Sequence, residues 1–268
     1  MTDLKLRLAE LKAKGKEIPA PEMIKSPAQI EKIKAAARLN TAALDLVAKH
    51  VRVGVSTNEL DRLVYDFLSA NGARSADLGY MGYPKSICTS VNDEVCHGIP
   101  DYYKLKNGDI LNVDITTELD GYFGDASRMF MVGKVSRPAA DLVNVTRECL
   151  RRGVAAAQAW ATVGDIGAAV SACARKHGFS VVKEYGGHGV GLAMHEDPFV
   201  CHFGKKGRGM VLVPGMVITI EPMINQGSEE ICEDSENGWT VYTLDGSLSA
   251  QWENTILITE HGPEILAE

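Results

Sequence analysis

The feature that most constrains this chain is a strand written twice. GDILNVDI begins at Gly108 and GMVITIEP begins at Gly215. Each copy runs from a glycine through β-favouring residues to a carboxylate, Asp114 in the first and Glu221 in the second. Both the glycines and the acids are separated by 107 residues. An acid closing an apolar strand is unusual, because an unpaired buried carboxylate costs several kcal/mol. Two of them at equivalent positions point to one shared cation.

The duplication extends on both sides of these strands. Asp125 precedes ASRMFMV and Glu253 precedes NTILIT, so each half carries a second acid at the mouth of a β-prone run. Two His-x-x-Pro units also recur, at His97 and His195. A pseudo-twofold arrangement would gather Asp114 with Glu221, Asp125 with Glu253, and His97 with His195. His188, in the stretch YGGHGVGLAMHEDP, is left without a partner. Four converging carboxylates would repel one another and protonate unless cations held them together. Oxygen ligands with one imidazole suit Mn²⁺, Fe²⁺, Co²⁺ or Zn²⁺. Two bridging carboxylates would space a metal pair at about 3.5–4 Å, as in two-metal hydrolases.

The same repeat organises the rest of the chain as helix, helix, strands, performed twice. Ser26-Pro-Ala-Gln29 is a capping-box pattern that predicts a helix of about two dozen residues. Ser56-Thr-Asn-Glu59 starts a second helix, which stops at Asn71-Gly72. Strand and turn segments fill residues 77 to 133. In the second half, residues 138 to about 161 predict a helix, and another ends at His177-Gly178 before strands at 179 to 258. The class is α+β, with a domain over 26–268. Residues 1–25 read as an extension, with Leu4, Leu8 and Leu11 striping a short surface helix before a turn-rich linker.

Charge and composition narrow the function. A net charge of −7 argues against a general nucleic-acid binder and offers no footprint for an anionic membrane. The charged N-terminus lacks a secretory core, and no apolar run approaches the ~18 residues of a spanning helix. The expected location is the cytoplasm, where the six cysteines, none spaced CxxC, stay free thiols. GGHGVG lacks the strand–turn–helix setting of a dinucleotide loop. His50, His177, His202 and His261 have structural readings, the first and second of these near helix C-termini.

NVDITTELDGYFGDASRMF, YGGHGVG, MHEDP, ITIEPM and QWENTILIT together resemble the motifs of first-type methionine aminopeptidases. GYPKSICTSVNDEVCHGIP narrows the likeness to that type within the family M24 metallopeptidases. The resemblance covers about residues 26 to 260. It implies a pita-bread fold: two pseudo-symmetric helix-helix-strand halves, with a central antiparallel curved β-sheet covered by helices. It implies that Asp125 and Glu253 bridge two divalent metals, that His188 and Glu221 complete one site, and that Asp114 completes the other. His97 would sit over the scissile bond, His195 would hydrogen-bond the substrate carbonyl, and Glu221 would shuttle a proton to the leaving amine. Tyr80, Tyr83, Cys88 and Trp239 match the methionine side-chain pocket. Met194 stands where phenylalanine is common and Met81 where histidine is common, changes to the pocket wall and not to the ligands.

The implied reaction is removal of the initiator methionine from nascent polypeptides with a small second residue, at the ribosome, by a monomer. A catalytically dead relative that binds partners would be expected to lack metal ligands, and all five are present here. A prolidase-like dipeptidase would differ in substrate preference, not in ligands.

Overall fold

Both predicted serine caps form. In the computed structural model, which describes residues 2–268, the Gln29 amide donates to Ser26 Oγ and the Ser26 amide donates to Gln29 Oε1. Ser56 and Glu59 exchange the same pair of bonds. These boxes satisfy first-turn amides that would otherwise be orphaned. Helix α1 spans Thr2–Ala13, α2 spans Pro27–Ala48 and α3 spans Thr57–Ala70. In the second half, α4 spans Arg137–Ala156 and α5 spans Val163–Lys176. Asp165 accepts from the Thr162 amide at 2.8 Å, so α5 repeats the entry of α3 with a shorter acid.

One boundary departs from the sequence expectation. Helix α4 ends at Ala156, not near 161, because the chain must turn there. Trp160 adopts a left-handed φ of 70° and its amide donates to Leu212 O. Helix α3 and helix α5 end where predicted, with Gly72 and Gly178 at positive φ.

All strand pairings among the described residues are antiparallel. In the first half, Ile110–Leu119 forms a hairpin with Tyr122–Met131 and also pairs with Cys88–Val91 and Arg74–Ser75. In the second half, Val217–Ile220 lies between Asn254–Thr259 and Gly187–Gly189, with Gly262–Ala267 and Glu196–Val200 at the edges. The two sheets meet at one seam. Thr255 Oγ donates to Asp125 O at 2.6 Å, and the Glu253 amide donates to Ser127 O at 3.1 Å.

Helices α2 and α3 cover the first sheet around Leu44, Leu60, Leu68, Leu111 and Ile115. Helices α4 and α5 cover the second around Leu142, Ile166, Leu212, Ile218 and Ile256. Contact is close where α2 crosses the first hairpin: a Cβ on Gly124 would lie 2.5 Å from Ala37 Cα. Asn40, fully buried on α2, donates from Nδ2 to the carbonyls of Gly124 and Ile115.

The N-terminal segment does more than drape. Leu4, Leu8 and Leu11 pack onto the second core, and the Arg7 guanidinium stacks 3.7 Å from the Trp160 ring centroid. The Val211 amide donates to Glu17 O, and the Lys25 amide to Gly215 O. No helix among the described residues is long and apolar enough to cross a membrane.

Candidate functional site

The duplicated strands end at a single cavity of about 700 Å³. Asp114, Asp125, His188, Glu221 and Glu253 all line it. Ligand atoms of Asp125, His188 and Glu253 lie within 4.8 Å of one another. His188 Nε2 stands 3.7 Å from Asp125 Oδ2 and 3.6 Å from Glu221 Oε1. Asp114 shares a side-chain hydrogen bond with Glu253. The seam therefore gathers residues separated by up to 139 positions in the chain, from Asp114 to Glu253.

Three of the five candidate ligands, Asp125, Glu221 and His188, are held by neighbours. Thr116 Oγ donates to Asp125 Oδ1 at 3.1 Å, and Thr219 Oγ donates to Glu221 Oε1 at 2.8 Å. Gln251 Nε2 donates to the other Glu221 oxygen at 3.2 Å. The Glu221 amide donates to the Nε2 of buried His202 at 3.0 Å. His188 is fixed twice: its amide donates to Thr219 Oγ, and its Nδ1 faces Gly189 O at 2.9 Å. A proton on Nδ1 satisfies that carbonyl and leaves the Nε2 lone pair aimed at the acids, as a ligating imidazole requires.

Desolvation dominates the electrostatics of the site. Burial pushes Asp125, Glu221 and Glu253 well above the usual carboxylate range, and the charge of Asp114 adds to each shift. Asp114 itself is pushed up to about 7, first by burial. Burial also keeps His188 neutral. Bare, this group of acids holds protons it would lack in water; divalent cations would replace them. Four carboxylates and a neutral imidazole are a fitting donor set for such ions.

Above the acids stand the other two histidines. The His195 ring lies 4.3 Å from that of His188, centroid to centroid, and its Nδ1 meets Tyr80 Oη at 2.9 Å. Tyr80 thereby orients His195 as well as lining the cavity. His97, at φ 57°, sets its ring edge against Tyr185 at 5.3 Å and Trp239 at 6.3 Å. Burial and nearby His195 lower His97 to about 4, so it is neutral at pH 7.

Tyr83, Cys88, Met194 and Trp239, named from the sequence for a side-chain pocket, all line the cavity. Tyr83 and Trp239 pack edge to face at 5.0 Å, and the Tyr83 hydroxyl reaches Gly98 O and Ile87 O. Cys88 and Met194 complete that wall, and burial raises the Cys88 thiol, so it stays uncharged. Met81 also borders the cavity, but its side chain is 82% exposed at the mouth.

Sequence reasoning missed several members. Thr116 and Thr219 sit two residues from Asp114 and Glu221, so strand alternation alone put them on the acid face. Tyr185 and Gln251 carried no comparable signal. Asp77 is a further buried carboxylate on the cavity wall, accepting from the Thr116 amide at 3.1 Å. Burial and then Asp114 push it up to about 8. It lies in a loop without periodicity, so nothing in the sequence marked it.

The model of metallopeptidase family M24 matches residues 31–260, and the chain belongs to that family. A prolidase from Pyrococcus horikoshii, 23% identical, superposes with a TM-score of 0.72 over 92% of this chain and 63% of that one; the shared fold is the pita-bread arrangement. Within the family the chain sides with the methionine aminopeptidases. Methionine aminopeptidase A from Synechocystis is 51% identical over 239 residues, which is 89% of this chain and 94% of that protein. The crystal structure of methionine aminopeptidase from Rickettsia prowazekii superposes with a TM-score of 0.90 at 44% identity, over 91% of this chain and 99% of that one. The chain is thus a metal-dependent hydrolase of the methionine aminopeptidase kind.

Proposed function

We propose that this protein removes the initiator methionine from nascent polypeptides with a small second residue, using two divalent metals held at the seam. The observation that carries the two-metal reading is three buried carboxylates, Asp125, Glu221 and Glu253, with half-buried Asp114 around one imidazole, and desolvation drives every one of these acids toward protonation. In this reading Asp125 and Glu253 would hold both metals, His188 and Glu221 would also hold one, and Asp114 would hold the other. When bound, the metals supply Lewis acidity to the scissile carbonyl and acidify water near neutral pH.

The side chains divide the remaining work. The substrate's α-amine approaches Asp114, which accounts for an exopeptidase. Tyr83, Cys88, Met194 and Trp239 enclose an unbranched, polarisable methionine side chain. Tyr80 at Nδ1 leaves His195 Nε2 to donate to the carbonyl oxygen as charge develops there, an effect typically worth ~3–4 kcal/mol. Neutral His97 lies over the scissile bond and can donate or accept without adding charge. Glu221, steadied by Thr219 and Gln251, carries a proton to the departing amine.

Residues 26–268 form the catalytic domain in this reading, and the enzyme works as a cytoplasmic monomer on nascent polypeptides at the ribosome. The functional test is release of methionine from Met-Ala-Ser, Leu-Ala and Xaa-Pro peptides with Mn²⁺, Fe²⁺, Co²⁺ and Zn²⁺ in turn. Release from Met-Ala-Ser alone supports the proposal. Preferential cleavage of Xaa-Pro overturns it.

A further inference from the structure

Lys25 ends the N-terminal segment and is buried, with 4% of its surface exposed. A buried ammonium must find a counter-charge, since its desolvation costs several kcal/mol. Its Nζ pairs with a carboxylate oxygen of Glu196, the residue that follows His195. The second Glu196 oxygen accepts from the amides of Leu192 at 2.6 Å and Ala193 at 3.1 Å. The Gly191 amide donates to Ala193 O at 3.1 Å, and Gly191 O accepts from Phe123 at 3.0 Å. Residues 191–196 thus form a closed loop fastened at one corner to Lys25. That loop presents Met194 and His195 to the cavity.

The other end of the fastening is fixed as firmly. The Lys25 amide donates to Gly215 O at 2.8 Å, and Ile24 bridges Met216 at the start of the duplicated strand. A Cβ on Gly191 would collide with Ile33 on α2, so the loop lies flat on that helix. Lys25 therefore joins the strand that ends in Glu221 to the loop that carries His195.

We infer that Lys25 is a positioning residue for catalysis: through Glu196 it sets where His195 stands in the cavity. The inference rests on the proposed peptidase reading and extends it to a segment outside the motif-bearing core. A displacement of ~1 Å in such a group can cost up to about a hundredfold in rate. Lys25→Met is expected to lower kcat about tenfold or more, with KM and bound metal little changed and Lys25→Arg recovering part of the loss. A cycle with His195→Asn supplies the decisive readout. If Lys25 acts through His195, Lys25→Met costs nothing further once His195 is replaced.

The double variant Lys25→Met/Glu196→Gln removes both charges, so no unpaired ion destabilises the fold. It is expected to fold and to stay slow, because the fastening is gone. Recovery of wild-type kcat in that variant, or equal losses with and without His195, would overturn the inference. Failure of the wild-type enzyme to release methionine from Met-Ala-Ser would instead sink the functional reading, so the two failures are distinguishable.

Discussion

The two acid-bearing strand pairs share a plan but are closed differently. In the first half, Ile110–Leu119 and Tyr122–Met131 join through Asp120 and Gly121, with φ of 53° and 79°. Two successive residues at positive φ make the tight hairpin turn whose twist matches its strands. In the second half, Val217–Ile220 pairs with Asn254–Thr259 across a long excursion through residues 221 to 253. That excursion carries Trp239 and Gln251 to the site. The register differs as well. Asp125 faces Thr116 across its hairpin, two positions from Asp114, whereas Asn254 faces Ile220, which brings Glu253 opposite Glu221. A symmetric pair of acids is thus set on an asymmetric frame, and the extra chain in the second half supplies pocket and orientation.

The sharpest test of the shared part replaces one acid from each half. Asp125→Ala and Glu253→Ala should each abolish metal retention and lower methionine release by ~10³-fold or more, since the metals supply several kcal/mol. Elemental analysis beside the peptide assay checks both. A variant that kept its metal would break the equivalence of the halves. Next in size, the repeat-related histidines should part company. His195→Ala should cut kcat by ~10²-fold or more with metal retained, as loss of an oxyanion donor does. His97→Ala should cost about tenfold, because in the proposed reading its neutral ring would stand over the bond and off the developing charge. Equal losses would restore symmetry between them.

The acid cluster also sets a pH dependence. Asp114, raised from 3.8 to about 7, binds more protons folded than unfolded between those limits. Its contribution to the stability of the metal-free protein is therefore present at acid pH and is lost as pH rises from about 4 to 7. Melting of the chelated protein should weaken across that window, and the gain in Tm on adding Mn²⁺ should widen. A metal-induced gain that shrank as pH rose would contradict the assignment.

The smallest effect belongs to the turn. Gly121→Ala meets open space but an unfavourable φ, so it should cost ~1 kcal/mol in denaturant unfolding and leave kcat unchanged.

The duplication, the caps and the acids were legible because each obeys a local rule: a capping box, an alternation, a strand ended by a charge. His188 was not recoverable from the repeat, since the first half holds no counterpart, and it emerged only through resemblance. Asp77 was hidden in aperiodic loop. The Lys25–Glu196 pair spans 171 residues, and no short-range pattern encodes such a meeting. The early end of α4 was set by Trp160 turning toward Leu212, a tertiary demand invisible in the helical pattern.

The seam between the sheets has a kinetic consequence. Asp125 and Glu253 come together only when strands more than a hundred residues apart have docked through Thr255. Closing so long a loop is a late and entropically costly event. No partly folded chain, however much helix it has formed, can assemble the metal centre. Metal uptake during refolding would thus be a clock for the last step of assembly, and a nascent copy of this enzyme stays inert until its final strands have left the ribosome.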